Sequence, residues 1–229
     1  MRPTVLLFDI DGTLISAGGA GRRAVERAFL SVCGRADSLE GVAFNGLTDP
    51  IIVRAGLERL GLAPDAERVD AILAAYLAVL PDELARATAF HVKPGVEPLL
   101  GALAGRDGVA VGLGTGNLRA GAMLKLARGG LHGHFAFGGY GCDHAERAEL
   151  LRVGARRGAD RLGVPVDACR VVVIGDTPRD VAAARAIGAA CIGVGTGGCT
   201  PAALREAGAD LAIDDLTDAR ALAALCEGD

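Results

Sequence analysis

The chain has 229 residues, 51% of them hydrophobic, enough to bury a sizeable core in one large domain or in one domain with an insert. No stretch approaches the ~18 uninterrupted apolar residues of a membrane span, and a net charge of −4 gives no footprint for nucleic acid. An apolar run begins within four residues of the start and leaves no room for a signal peptide, so a cytoplasmic location is expected, with no membrane and no nucleic acid as partner.

That run, Thr4-Val5-Leu6-Leu7-Phe8, ends in Asp9-Ile10-Asp11-Gly12-Thr13-Leu14. It reads as a buried parallel strand stopped by a glycine. Carboxylates at i and i+2 at the end of such a strand point the same way, into the crevice where open α/β sheets bind ligands. Two like charges held together there cost energy unless a cation or a shared proton compensates. The pair asks for a metal, a catalytic role, or both.

From there to about residue 90 no convincing strand occurs. Amphipathic helices are expected at Gly21–Cys33, Pro50–Leu60, Ala66–Leu80 and Asp82–Thr88, with Val69, Ile72, Leu73, Tyr76, Leu77 and Leu80 on one face of the third. Beyond residue 90, short apolar strands (Val109–Gly114, Phe135–Gly138, Arg170–Gly175, Ala190–Val194, Leu211–Ile213) alternate with helices. Those are expected at Gly95–Ala104, Leu118–Arg128, Ala145–Arg161, Pro178–Ile187, Pro201–Ala207 and Thr217–Leu225. This alternation predicts an α/β fold, a parallel sheet covered on both faces. The six cysteines are scattered without Cys-x-x-Cys, so reduced thiols are expected.

Two later strands end in chemistry-bearing residues. Gly114-Thr115-Gly116-Asn117 precedes a helix, and a hydroxyl with free backbone N–H groups at a helix N-terminus makes an anion site. The glycines at 112, 114 and 116 imitate a dinucleotide turn, but Asn117 stands where the third glycine belongs and the acid expected ~20 residues on is missing. Gly175-Asp176-Thr177-Pro178-Arg179-Asp180 follows the strand at 170–175, and Asp180 also suits a helix N-terminal acid favoured by the dipole.

The motif Asp-x-Asp-Gly-Thr-Leu, with the threonine turn and Gly-Asp-x-x-x-Asp in that order, resembles the haloacid dehalogenase superfamily in its phosphatase branch. The resemblance implies a Rossmann-like parallel sheet core (1–15 and 90–229) with an inserted all-helical cap (16–89). It implies an Mg²⁺-dependent phosphatase acting on a small phosphorylated metabolite, phosphoglycolate being the default for this type of cap. Asp9 would be the nucleophile that becomes a phosphoaspartate, and Asp11 the general acid and base. Thr115, Gly116 and Asn117 would bind the phosphoryl group, and Asp9, Asp11 and Asp176 the metal. Asp180 would bind it through water or orient its neighbours.

The lysine usual in this family between the threonine and acidic motifs is absent at its place. Arg147 is the preferred substitute, over Lys125, which reads as a solvated residue inside the helix after Thr115. In the insert, Gly46-Leu47-Thr48-Asp49-Pro50 resembles an element of phosphoglycolate-phosphatase-like caps. Thr48 and Asp49 are therefore candidates for substrate contact and equally for a helix N-cap. Arg22 is a further candidate for a substrate carboxylate. A sugar-phosphate mutase of the β-phosphoglucomutase type and a non-catalytic binding protein on the same scaffold are the alternatives. The presence of Asp11 argues against a dehalogenase.

Overall fold

In the computed structural model, which describes residues 2–35, 37–42 and 44–226, β1 (Thr4–Phe8) lies in the middle of the sheet. Its side chains alternate as a strand's must: Leu6 and Phe8 enter the apolar core on one face, Val5 and Leu7 the core on the other. Burial on both faces explains why this strand and the one at Arg170–Gly175 read as uninterrupted apolar runs.

The chain leaves β1 through an antiparallel stem, β2 (Ile15–Ser16) paired with β3 (His91–Val92). These strands of two residues are too short to leave a pattern in the sequence. Between them run α1 (Ala20–Cys33), α2 (Asp49–Arg59) and α3 (Ala66–Arg86), which enclose an apolar core of their own around Phe29, Leu57, Ile72 and Tyr76. The two helices expected at 66–80 and 82–88 are one, running through Pro81. Proline costs that helix a hydrogen bond, but it sits on the exposed side, while Leu80 and Leu84 are buried and keep the chain helical.

The rest is α4 (Val96–Leu103), β4 (Val109–Gly114), α5 (Arg119–Arg128), β5 (Gly138–Gly139), α6 (Arg147–Leu162), β6 (Arg170–Gly175), α7 (Pro178–Ala186), β7 (Ala190–Val194), α8 (Pro201–Glu206), β8 (Leu211–Ile213) and α9 (Ala219–Cys226). The strand expected at 135–138 is displaced to Gly138–Gly139, because Phe135 and Phe137 are buried in the two cores.

The sheet order β5-β4-β1-β6-β7-β8, parallel throughout, makes β1 the switch point: the chain builds outward on one side to β5, then crosses to β6. Phe8 stands level with Leu113 of β4 and with Ile174 of β6. The register therefore delivers Asp9, Thr115 and Asp176 to one edge of the sheet, where ligands of open α/β sheets bind.

Candidate active site

A cavity of about 350 Å³ lies between that edge and the helical insert, lined by Asp9, Asp11, Asp176 and Arg147 from below and by Val25, Phe44, Ile52 and Tyr76 from the insert. At its base, carboxylate oxygens of Asp9, Asp176 and Asp180 all lie within 4.8 Å of one another, and all three residues are buried.

Burial is the main cause that raises the Asp9 carboxyl to about 6; Arg147 opposes the shift, and Asp180 and Asp11 add to it. Burial likewise pushes Asp176 up to about 8, reinforced by the charges of Asp9 and Asp180. Carboxylates so crowded want a cation.

The donor set fits a hard, oxygen-seeking ion such as Mg²⁺. Thr13 Oγ1 donates to Asp176 Oδ1 at 3.0 Å. Room around the other oxygen is kept by glycine: a Cβ on Gly12 or on Gly197 would fall within 2.4 Å of Asp176 Oδ2.

Arg147 opens α6 and is buried against this cluster. Its guanidinium is 3.1 Å from Asp9 Oδ1, contacts Asp180 Oδ1 and donates to the Gly114 carbonyl at 3.4 Å. Burial works against its charge, yet Asp180 and Asp9 hold it protonated above the ordinary arginine value. Arg147 Nε has no hydrogen-bond partner among the described residues, and Asp180 Oδ1 has only its ion-pair contact with Arg147. Asp180 is fully buried, and its Oδ2 accepts from the Thr177 amide and hydroxyl at 3.0 and 2.7 Å, completing a capping box on α7.

Around Asp11 the arrangement differs. Its side chain is 42% exposed, and its Oδ2 accepts from Lys125 Nζ at 2.6 Å and from Asn117 Nδ2 at 2.8 Å. Asn117 also donates to Thr115 Oγ1 at 2.9 Å and accepts from Lys125 at 2.6 Å. Thr115 is fully buried and does not itself line the cavity. Its hydroxyl, satisfied as an acceptor, keeps a proton to give.

The reading of Lys125 as a solvated residue is therefore wrong. Its side chain is 5% exposed and it lines the cavity. Leu118, Ala122, Lys125 and Leu126 recur at helical spacing, and all four are buried. That spacing, taken together with the charge of Asp11, places the lysine on the inner face. Lys93, the only other lysine, also lines the cavity, with Nζ 2.7 Å from the Thr196 carbonyl. The sequence reading gave it no role.

The three residues singled out in the insert have their polar atoms engaged within the protein. Arg22 donates to the carbonyls of Leu39 and Val42 at 3.1 and 2.7 Å and lies over the Phe44 ring at 4.1 Å, at the cavity wall. Thr48 Oγ1 donates to the Ala145 carbonyl at 3.0 Å and stands outside the lining. Asp49 accepts from the Leu118 amide and donates its own amide to the Gly116 carbonyl, each at 2.8 Å. A side chain on Gly116 would strike the Leu47 carbonyl, a Cβ falling 2.3 Å from it, so glycine there is what lets the insert seat on the threonine turn.

Buried carboxylates gathered at the switch point of a parallel sheet, facing a cavity under an inserted helical layer, define the site of an α/β enzyme. Comparison with known proteins narrows the class. The chain belongs to the haloacid dehalogenase-like hydrolases, whose family model matches residues 3–188. A plasmid-encoded phosphoglycolate phosphatase of Cupriavidus necator is 33% identical over 217 residues, 93% of this chain and 90% of the relative. Among solved structures, a predicted phosphoglycolate phosphatase from Haemophilus somnus superposes with a TM-score of 0.67 at 16% identity, covering 95% and 96% of the two chains. CbbY from Rhodobacter sphaeroides, crystallised with xylulose 1,5-bisphosphate, reaches 0.71 at 20% identity over 98% and 99%. The solved structures share the fold. No described helix is long and apolar enough to cross a membrane.

Proposed function

We propose that this protein is an Mg²⁺-dependent phosphatase of small phosphate monoesters, with phosphoglycolate as the first substrate to test. The observation that carries the reading is the pairing at the sheet edge: a buried Asp9 held against Arg147, and an exposed Asp11 two residues on. The Cupriavidus relative supports the choice of ester.

In this reading Asp9 attacks phosphorus in line, forming the Asp9–phosphorus bond as the ester bond breaks. Asp11 gives its proton to the departing ester oxygen. It then takes a proton from the water that attacks the phosphoaspartate and frees Asp9 and phosphate. Arg147 and the amides of Gly116 and Asn117, backed by the buried Thr115 hydroxyl, hold the phosphoryl oxygens, where the stabilisation of such reactions chiefly lies.

Asp9, Asp176 and the Asp11 carbonyl would hold Mg²⁺, with Asp180 anchoring Arg147 and standing behind the site. The ion's part is to neutralise the charge of nucleophile and phosphate as they meet. The insert acts as a cap (16–89) that closes the cavity from water.

Release of inorganic phosphate from phosphoglycolate and a panel of small esters, with and without Mg²⁺, tests the reading. Asp9→Asn should be inert while retaining its fold. Retention of full activity by that variant would falsify the phosphoaspartate route, and transfer to a second hydroxyl in place of phosphate release would make the protein a mutase.

A further inference from the structure

We infer that Lys125 is a positioning residue for the acid–base step: it holds one oxygen of Asp11 and fixes the amide of Asn117. The inference rests on the phosphatase reading, since it concerns how Asp11 does its work.

Only two of the chain's 24 basic residues are lysine, and both line this cavity. Lys125 lies in the second turn of α5, seven residues beyond Leu118 and thus on the same face. The enclosure suits a compact ammonium: a Cβ on Gly21 would already stand 3.5 Å from Nζ.

Lysine has three donors and no acceptor, so the group it meets on Asn117 must be the carbonyl oxygen. That settles which way the amide points. Nδ2 then faces Asp11 and the Thr115 hydroxyl, the two contacts it makes at 2.8 and 2.9 Å. One lysine therefore orders both the acid–base carboxyl and the side-chain amide that holds it.

At Asp11 both donors fall on Oδ2, whereas Oδ1 makes no hydrogen bond among the described residues. A carboxyl 42% exposed would otherwise be free to rotate. Held by Oδ2, it keeps Oδ1 towards the cavity. The proton that leaves with the ester oxygen, and the one later taken from water, both pass through Oδ1; Lys125 keeps its own protons throughout.

The test compares two esters by kcat/KM, which reports events up to departure of the leaving group. Phosphoglycolate expels an alkoxide that needs a proton, whereas 4-nitrophenyl phosphate expels a phenolate that does not. General acid help is worth roughly 10²–10⁴-fold. In Lys125→Met, with Mg²⁺ present, kcat/KM should fall about 30- to 300-fold for phosphoglycolate and less than about 3-fold for the aryl ester. In an Asp11→Asn background the same substitution should add almost nothing for phosphoglycolate.

Equal losses for both esters, no loss, or full additivity with Asp11→Asn would overturn the inference. If Lys125→Met melts below the assay temperature, Lys125→Arg carries the same comparison, because it keeps the charge and loses the compact ammonium. Wild-type protein that hydrolyses neither ester would instead bring down the phosphatase reading itself, and the inference with it.

Discussion

The sheet edge and the helical insert both place polar side chains around one cavity, but they use them in opposite ways. At the sheet edge, Asp9, Asp176, Asp180 and Arg147 are turned towards one another and all but Asp180 line the cavity, leaving raised carboxyls and buried atoms without a hydrogen bond among the described residues. In the insert, Arg22, Thr48 and Asp49 spend their hydrogen bonds on backbone groups. Polar groups fully satisfied within the protein hold a shape; groups crowded and unsatisfied await a ligand or a charge. In the proposed reading, the chemistry belongs to the edge and the fit to the insert.

The largest effect that would break this contrast is expected at Arg147. Removing one partner of a buried ion pair costs about 3–5 kcal/mol, because the other charge stays buried alone, and here Asp9 and Asp180 would both be left. Arg147→Met should lower stability by that order in urea melts without metal. It should also lower kcat by at least the order of 10²–10³-fold expected for loss of a donor to a developing oxyanion. Lys at this position would restore the charge but not the planar guanidinium, whose Nη2 reaches both carboxylates while Nη1 faces the Gly46 carbonyl. Unchanged turnover in Arg147→Met would move the centre of the chemistry away from the sheet edge.

The same contrast decides what could be read from the sequence. β1, β4 and β6 are buried strands whose apolar runs stop at the candidate site residues, so Asp9, Thr115 and Asp176 stand at legible punctuation. Arg147 was legible by its place at a helix start. Lys125 was not, because lysine in a helix is ordinarily solvated; its burial shows only when the spacing of Leu118, Ala122 and Leu126 is taken with the charge of Asp11. Within the insert the helices were legible, but the targets of Thr48 and Asp49 were not. Their partners at Ala145 and Leu118 are 97 and 69 residues away, and a backbone carbonyl or amide as partner leaves no mark on the sequence.

A smaller effect is expected at Asp49, where the insert meets the threonine turn. Burial holds its carboxyl at about 6, against the opposing pull of Lys125 and of the Leu118 amide. The unfolded chain has the ordinary value of about 3.9, so the folded state binds this proton more tightly. Its contribution to stability is fully present below about pH 4 and is lost as pH rises through 6. Asp49→Asn keeps an oxygen for the Leu118 amide and removes the buried charge. It should be more stable than wild type by about 1–2 kcal/mol at pH 8, with the gap closing by pH 4. Thermal melts across that range would show it. A loss of stability at pH 8 would mean that Asp49 is held ionised by Lys125, and that the insert shares in the charge network of the edge.

The smallest effect separates the two regions most finely. Thr48 has substrate contact and structural seating as rival readings, and its hydroxyl reaches Ala145 across from the insert to the loop that carries Arg147. Thr48→Val keeps the shape and leaves that carbonyl without its donor, a loss of about 1 kcal/mol by the ordinary worth of such a bond. If the insert supplies fit alone, urea melts should record that loss while KM for phosphoglycolate moves less than about 2-fold, since the missing bond joins protein to protein and does not touch the ester. A rise in KM of tenfold or more with unaltered stability is worth ~1.4 kcal/mol of binding. It would put Thr48 on the substrate and extend the recognition surface from the sheet edge into the insert.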